Sequence, residues 1–264
     1  MRIAVKIKVI VALVCCSYQV AGQPGATEPV ETTDWCQVGD KKIALKTWRY
    51  GAAQKYVIIN LHHNEITAID AAQKVLSTSG GTMVYIENEQ ERIISFRIGN
   101  NLFRFDPNRI FTDAGIHKTL HKLSGRVTPG AIRAVREFAT FVKSKLPATV
   151  SVVIAVHNNE DGDLSVDSYG KDGDLRREAS QVHATPGHDA DNFFLTTDVS
   201  LFRKLKAAGY NAVLQHNKRV TNDGSLSVYY GLKKKRYVNV EAETGALDMQ
   251  QEMITSVIGI LKKK

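Results

Sequence analysis

The sequence has few cysteines, few prolines and no apolar run of the roughly 20 residues that would be needed to cross a bilayer. Three of its 264 residues are cysteine and six are proline. Two of the cysteines, Cys15 and Cys16, are adjacent near the N-terminus, which leaves Cys36 without an internal partner and excludes a small disulfide-stabilised domain. No repeat or low-complexity tract is present, which excludes a solenoid or fibrous chain. With 43% hydrophobic and 23% charged residues, the composition is that of an ordinary globular protein.

The N-terminus has the pattern of an export signal. Arg2, Lys6 and Lys8 precede a short apolar run over residues 9–16, and small residues follow at 20–22. We therefore predict a signal peptide over residues 1–22, a flexible lead-in over 23–35 and a periplasmic or extracellular protein. No stable membrane insertion is expected after cleavage.

The basic charge does not indicate nucleic-acid binding. The formal net charge is +8 at pH 7, and three of the basic residues lie in the predicted signal segment. The remaining basic clusters are short, and no basic stripe with interleaved aromatic residues is present. We therefore predict no nucleic-acid partner.

Strands and helices alternate along the rest of the chain. Strands are predicted at 55–61, 82–86, 92–97, 149–156, 212–215 and 237–241, and helices at 66–76, 129–144, 199–208 and 248–261. Since the strongest strands are apolar on both faces, we predict a single α/β domain over 36–264, with a mostly parallel mixed sheet flanked by helices on both faces.

One long stretch, residues 158–192, has no clear periodicity. Its two Asp-Gly-Asp triplets lack the spacing of a calcium loop, so no calcium site is assigned. A stretch of this length is expected to be either functional or poorly ordered, and we expect it to shape the pocket.

Histidines end two of the predicted strands. His62 and Glu65 follow the first strand, and His157 ends the strand at 149–156. Because ligands bind beyond the carboxyl ends of parallel strands, these three side chains are expected to meet. Two histidines and a glutamate are a familiar zinc set that leaves one position open for water. His63 is the competing ligand, but strand alternation would point it the other way.

With these motifs in place, the chain resembles the zinc carboxypeptidase (funnelin) superfamily, as a compact exported member. That family pairs H-x-x-E after one strand with a histidine after a later strand, an Asn-Arg pair between them and a glutamate on a late strand. The matching positions are His62/Glu65, His157, Asn108-Arg109 and Glu241, and the resemblance spans roughly residues 55–245.

The resemblance implies zinc bound by the two histidines and Glu65, with Glu241 as the catalytic base. Glu243 shares the strand face of Glu241 and is the alternative base. Asn108 and Arg109 are implied to hold a substrate carboxylate. Arg97 and Arg104 remain open for the oxyanion, and Tyr229 or Tyr230 for the family's closing tyrosine.

Three functions remain open at this point. The first is a zinc metallocarboxypeptidase whose substrate is a peptide or muropeptide, such as a peptidoglycan stem peptide. The second is a related deacylase of N-acyl amino acids, of the aspartoacylase type. The third is a non-catalytic binding module on the same fold. The preferred residue and the oligomeric state are not indicated.

Overall fold

The computed structural model describes residues 28–52, 54–147 and 149–263. The predicted signal peptide, and residues 23–27 of the predicted lead-in, lie outside them. The strands are β1 Val30–Val38, β2 Lys41–Tyr50, β3 Tyr56–Asn60, β4 Gly81–Glu87, β5 Ile94–Ile98, β6 Asn101–Phe105, β7 Val152–Asn159, β8 Ala179–His183, β9 Phe193–Thr196, β10 Ala212–Gln215 and β11 Arg236–Glu243. The helices are α1 Ile66–Ser79, α2 Asp113–Ser124, α3 Pro129–Ser144, α4 Val199–Ala207, α5 Leu226–Leu232 and α6 Leu247–Lys262. None of these helices is both long and apolar enough to cross a membrane.

Within the described residues, nine strands form one mixed sheet in the order β1-β2-β4-β3-β7-β11-β9-β10-β8. Strands β4, β3, β7 and β11 are parallel neighbours at its centre. β1 and β8 run in the same direction as these four, whereas β2, β9 and β10 run against them. The carboxyl ends of β3, β7 and β11 therefore meet at one edge of the sheet, where the predicted ligands lie.

Helices cover both faces of the sheet, as predicted. On one face, Val57 and Val153 pack with α2, α3 and the β5–β6 hairpin. On the other face, Ile58 and Ile154 pack with α1, α4 and α6. Successive residues of β3 and β7 enter opposite cores because side chains alternate along a strand, and this explains their continuous apolar sequence.

The segment predicted as a flexible lead-in is a strand from residue 30 onward. β1 pairs with β2 in an antiparallel register that runs from Val30 opposite Arg49 to Val38 opposite Lys41. Because β1 lies at the edge of the sheet and only Val38 is fully buried, its sequence is polar and lacks the apolar pattern of a core strand. The prediction was wrong for residues 30–35 for this reason.

The long stretch after β7 is partly ordered by strand pairing. β8 lies within it and pairs antiparallel with β10 at the far edge of the sheet. Five residues of the stretch 158–192 line the central cavity described below: Asn158, Asn159, Glu160, Asp163 and Leu164. The expectation that this stretch shapes the pocket agrees with that placement.

Candidate metal and catalytic site

His62 and Glu65 are brought together by the turn between β3 and α1. The Glu65 backbone N–H donates to the His62 carbonyl over 3.0 Å, which closes the turn just before α1 begins at Ile66. Both side chains are buried. His62 Nδ1 lies 2.9 Å from Glu65 Oε1, so the two groups face one point.

His157 reaches the same point from β7. Its Nδ1 lies 2.8 Å from Glu65 Oε2. One donor atom from each of His62, Glu65 and His157 lies within 4.8 Å of the others. The three predicted ligands are therefore assembled in the folded chain.

His63 faces away from this group, as expected, but β3 ends at Asn60, so the turn before α1 sets its direction and strand alternation does not. Its Nδ1 lies 2.9 Å from the backbone nitrogen of Asn88 and 3.0 Å from that of Gln90, and accepts from both N–H groups. It thereby fixes the loop between β4 and β5. Glu89 and Gln90 in this loop have left-handed backbone angles, with φ of 52° and 58°.

Asp106 is a functional candidate that the sequence analysis missed. Its Oδ1 lies 2.8 Å from His62 Nε2 and accepts the Asn108 backbone N–H over 2.7 Å. A carboxylate that accepts the N–H of one ring nitrogen fixes the tautomer in which the other nitrogen has a free lone pair for a metal. The available signal was its position two residues before Asn108.

The charges of this group favour a cation. Burial opposes ionisation of Glu65, but His157 and His62 outweigh it and hold the carboxyl pKa far below its usual value. Burial also opposes protonation of His62, but Glu65 and Asp106 raise its pKa above the ordinary value. The carboxylates thus stabilise positive charge at the meeting point of the ligand atoms. Two imidazole nitrogens and a carboxylate, with Asp106 behind one imidazole, fit a bound divalent metal ion.

Glu241 lies beside the ligand group on β11, directly opposite His157 in the parallel register. Its carboxyl is buried, and its Oε1 accepts from Asn239 Nδ2 over 2.7 Å. Burial, together with the nearby charge of Glu65, raises its pKa above the ordinary value despite the opposing effect of His157. A raised carboxyl pKa suits a group that must accept and then release a proton.

Glu243, the alternative base, lies elsewhere. It meets Asp161 and Asp191, with carboxylate oxygens within 4.8 Å of one another. The charge of Asp189, with those of Asp161 and Asp191, raises its pKa. It does not line the cavity that contains Glu241.

Asn108 and Arg109 line the same cavity as Glu241 and lie on the short helical turn Pro107–Arg109. Asn108 Oδ1 accepts the backbone N–H of Leu226 over 3.0 Å, and Arg109 Nη1 donates to the Asn108 carbonyl over 2.8 Å. Arg109 Nε pairs with Asp223 at 3.3 Å. The guanidinium is thus held on two sides, while 38% of its side chain remains exposed for a ligand.

Two glycines, Gly115 and Gly224, allow the loop after β10 to approach Arg109 closely. A side chain on Gly115 or on Gly224 would overlap the backbone of the other glycine and the carbonyl of Arg109. Gly224 also has a φ of 83° and its carbonyl accepts from the Phe111 backbone N–H over 2.9 Å. Only glycine at both positions permits this approach.

The arginine beside the ligand group is Arg92, which the sequence analysis did not select. Its Nη1 donates to Glu65 Oε1 over 2.7 Å, and 45% of its side chain is exposed. Arg97 and Arg104, the residues predicted for the oxyanion, point to solvent. The β5–β6 hairpin turns Phe96 and Phe103 inward, so its alternate residues face outward.

The predicted closing tyrosines are also outside the site. Tyr229 and Tyr230 lie on α5, where Tyr229 packs on Phe111 at 6.3 Å between ring centroids and Tyr230 stacks on Tyr237 at 5.8 Å. Neither lines the cavity that contains Glu241. Both tyrosines belong to α5, a helix that packs against β11.

These groups surround one cavity of about 450 Å³, which we call the central cavity. Its wall brings together the ligand group, the two arginines and the buried glutamate: His62, Glu65, His157, Arg92, Arg109 and Glu241. One small volume therefore contains a group that could hold a metal ion, a buried carboxyl group and two guanidinium groups.

No protein-family model matches the chain, and no curated protein matches it. Several solved structures have a similar fold. Thrombin activatable fibrinolysis inhibitor superposes with a TM-score of 0.54 at 9% identity, over 90% of this chain and 70% of that one. A metallo-carboxypeptidase from Burkholderia cenocepacia gives 0.47 at 9% identity, over 89% and 65%. Murein-tripeptide amidase MpaA from Escherichia coli O157 gives 0.48 at 10% identity, over 92% and 96%.

The chain therefore shares the α/β fold of thrombin activatable fibrinolysis inhibitor. Within that fold, its His-Glu-His group lies at the carboxyl edge of the central parallel strands and fits a metal ion.

Proposed function

We propose that the protein is a zinc-dependent hydrolase that removes the carboxyl-terminal residue of a peptide. The observation that supports this most directly is the position of Arg109. Its guanidinium group, which can bind a carboxylate in a bidentate manner, lies in the same cavity as the candidate metal ligands and Glu241. A substrate whose terminal carboxylate binds there would place its last amide bond near the ligand group.

Each residue has one task in the proposed reaction. His62, Glu65 and His157 would hold zinc, which when bound polarises a carbonyl and lowers the pKa of a water. Glu241 accepts the proton of the attacking water and delivers it to the leaving amine as the C–N bond breaks. Arg92 donates to the carbonyl oxygen as negative charge develops on it. Asn108 and Arg109 hold the carboxylate of the residue that leaves.

We further propose that the enzyme acts outside the cytoplasm, on peptides such as peptidoglycan stem peptides. The export-type N-terminal sequence supports the location. The substrate class follows from that location and from the resemblance to zinc carboxypeptidases.

A comparison of blocked substrates with zinc-loaded protein tests this function. Acetyl-Ala-Xaa and acetyl-Ala-γ-D-Glu-Xaa should lose their last residue, as measured by mass spectrometry, and the same substrates with an amidated C-terminus should resist cleavage. Equal cleavage of the amidated forms would contradict recognition of a terminal carboxylate. Cleavage of N-acetyl amino acids alone would favour the deacylase, and zinc binding without any hydrolysis would favour the binding module.

Replacement of Asp106 with asparagine should weaken zinc binding about 10–100-fold. Loss of a carboxylate that accepts the N–H of a metal-binding histidine lowers metal affinity by about this factor. Asparagine can still accept the Asn108 N–H, so the turn is preserved. Zinc affinity measured by chelator competition checks the result. Asp113→Asn, which removes an exposed carboxylate paired with Arg136, is the matched control. Equal affinities in the two variants would exclude the proposed contribution of Asp106.

Replacement of Arg92 with methionine should lower kcat about 100–1000-fold with little change in KM, because its donation is needed mainly when charge develops on the oxygen. The variant should still bind one zinc, which separates this effect from loss of the ligand group. Arg97→Met removes an exposed arginine from the same segment and should leave kcat unchanged. If Arg97→Met lowers kcat more than Arg92→Met does, Arg97 is the residue that donates to the oxyanion, as the sequence analysis allowed.

A further inference from the structure

A second cavity, of about 360 Å³, adjoins the central cavity. Arg109 and Leu164 line both cavities, so these two residues form the boundary between them. If Arg109 holds the terminal carboxylate, the side chain of the same terminal residue can enter this second cavity. We call it the leaving-group pocket; Tyr169, Glu178 and Thr221 line it together with Arg109 and Leu164.

The leaving-group pocket combines an aliphatic wall with two carboxylates, those of Glu178 and Asp223. Leu175, Leu195, Val220 and Val228 contribute aliphatic wall. Glu178 contributes a carboxylate that accepts the backbone N–H and the hydroxyl of Thr221, each over 2.6 Å. These two contacts fix the carboxylate and leave it with further acceptor capacity.

The two carboxylates of the pocket differ in their partners: Asp223 pairs with a cation, whereas Glu178 accepts from the neutral residue Thr221. Asp223 is paired with Arg109 at 3.3 Å. Thr221, which is neutral, supplies the side-chain donor to Glu178, and Arg109 is the only cationic residue among the described residues that line the pocket. With Arg109 engaged by Asp223 and by a substrate carboxylate, the pocket retains a net negative charge.

Tyr169 lines the leaving-group pocket together with Glu178. Its ring packs on Phe193 at 5.9 Å between centroids. Burial raises the pKa of its hydroxyl, and the charges of Glu241, Asp223 and Glu178 raise it further. Because Arg109 and Leu164 also line the central cavity, a side chain that passes these two residues enters the pocket that contains Glu178.

We propose that the leaving-group pocket selects a terminal residue with an aliphatic stem and a cationic tip, the chemistry of lysine or another diamino acid, with Glu178 as the acceptor of its ammonium group. This proposal rests on the proposed function and specifies its substrate class. An aliphatic side chain would leave the Glu178 carboxylate without a charged partner, and an acidic side chain would be repelled by it.

A pair of nearly isosteric substrates tests the selection. Acetyl-Ala-Xaa and acetyl-Ala-γ-D-Glu-Xaa, each with terminal lysine or norleucine, differ only in the ammonium group. The kcat/KM for lysine should exceed that for norleucine by about 10–100-fold on whichever scaffold is cleaved. In Glu178→Gln this ratio should fall to near one, whereas the exposed-surface control Glu137→Gln should keep it. Equal or better turnover of norleucine by the wild type would overturn the proposal.

Binding of free amino acids tests the pocket independently of turnover. L-lysine should bind to the zinc-loaded protein about tenfold or more tightly than L-norleucine, as measured by calorimetry, and Glu178→Gln should abolish the difference. Lysine selectivity without hydrolysis of any substrate would reject the proposed function while retaining the pocket assignment. Equal binding of the two amino acids would reject the pocket assignment even if peptides are hydrolysed.

Discussion

Replacement of His157 with alanine should abolish zinc binding under conditions in which the wild-type protein binds one zinc per chain. The alanine removes one of the three ligand atoms that meet at Glu65, and the two that remain cannot complete the set that zinc requires. The affinity for zinc should fall by more than the roughly 10–100-fold expected for the loss of a residue such as Asp106, which contacts a ligand but not the metal. Hydrolysis should be lost together with the zinc.

Metal analysis after dialysis, with circular dichroism to verify folding, measures this effect. His63→Ala is the informative control, because His63 is the competing ligand in the sequence but faces the Asn88 loop in the structure. It should retain zinc. A folded wild-type protein that takes up no zinc would reject the hydrolase function, and zinc retained by His157→Ala would reject the ligand assignment.

The second large effect is expected at Glu241. Glutamine at this position should reduce kcat by about 100–10,000-fold, the range for loss of a positioned acid–base group, because it cannot accept the proton of water. The amide oxygen can still accept from Asn239 Nδ2, so the side chain should remain in place. Zinc content should be unchanged, since Glu241 is not among the three ligands.

Glu243→Gln is the matched control for this substitution. Glu243 lies on the same strand, two residues away, and its carboxyl meets Asp161 and Asp191 instead of the central cavity. Steady-state kinetics of the two variants should therefore differ by orders of magnitude. If Glu243→Gln has the larger defect, Glu243 is the base and Glu241 has a structural function.

The sequence contained enough information for the central strands and for the residues that follow them. β3 and β7 have strongly apolar cores, and the carboxyl ends of parallel neighbours share one edge, so His62 and His157 could be placed together by strand position. Glu241 was identified only through the family resemblance. The start of α3 was equally clear, because Thr128 accepts from the Ala131 N–H and Pro129 occupies the first helical position.

Other residues could not be found in this way because tertiary contacts position them. Arg92 belongs to the irregular loop between β4 and β5, whose path depends on His63 and on the Asn88 side chain, which donates to the carbonyls of Glu91 and Ile93. No local pattern indicates that such a loop returns to Glu65. β1 was missed because its exposed edge position imposes no apolar alternation on its sequence.

The contact between Gly115 and Gly224 limits how the specificity of this protein can be redesigned. The loop that contains Thr221 and Asp223 is held against Arg109 through these glycines, so an exchanged or lengthened loop would also displace Arg109, the proposed carboxylate-binding residue. Loop grafting should therefore cost activity on every substrate. Single substitutions on the aliphatic wall, at Leu175 or Val220, offer a route to new substrates that leaves the receptor in place.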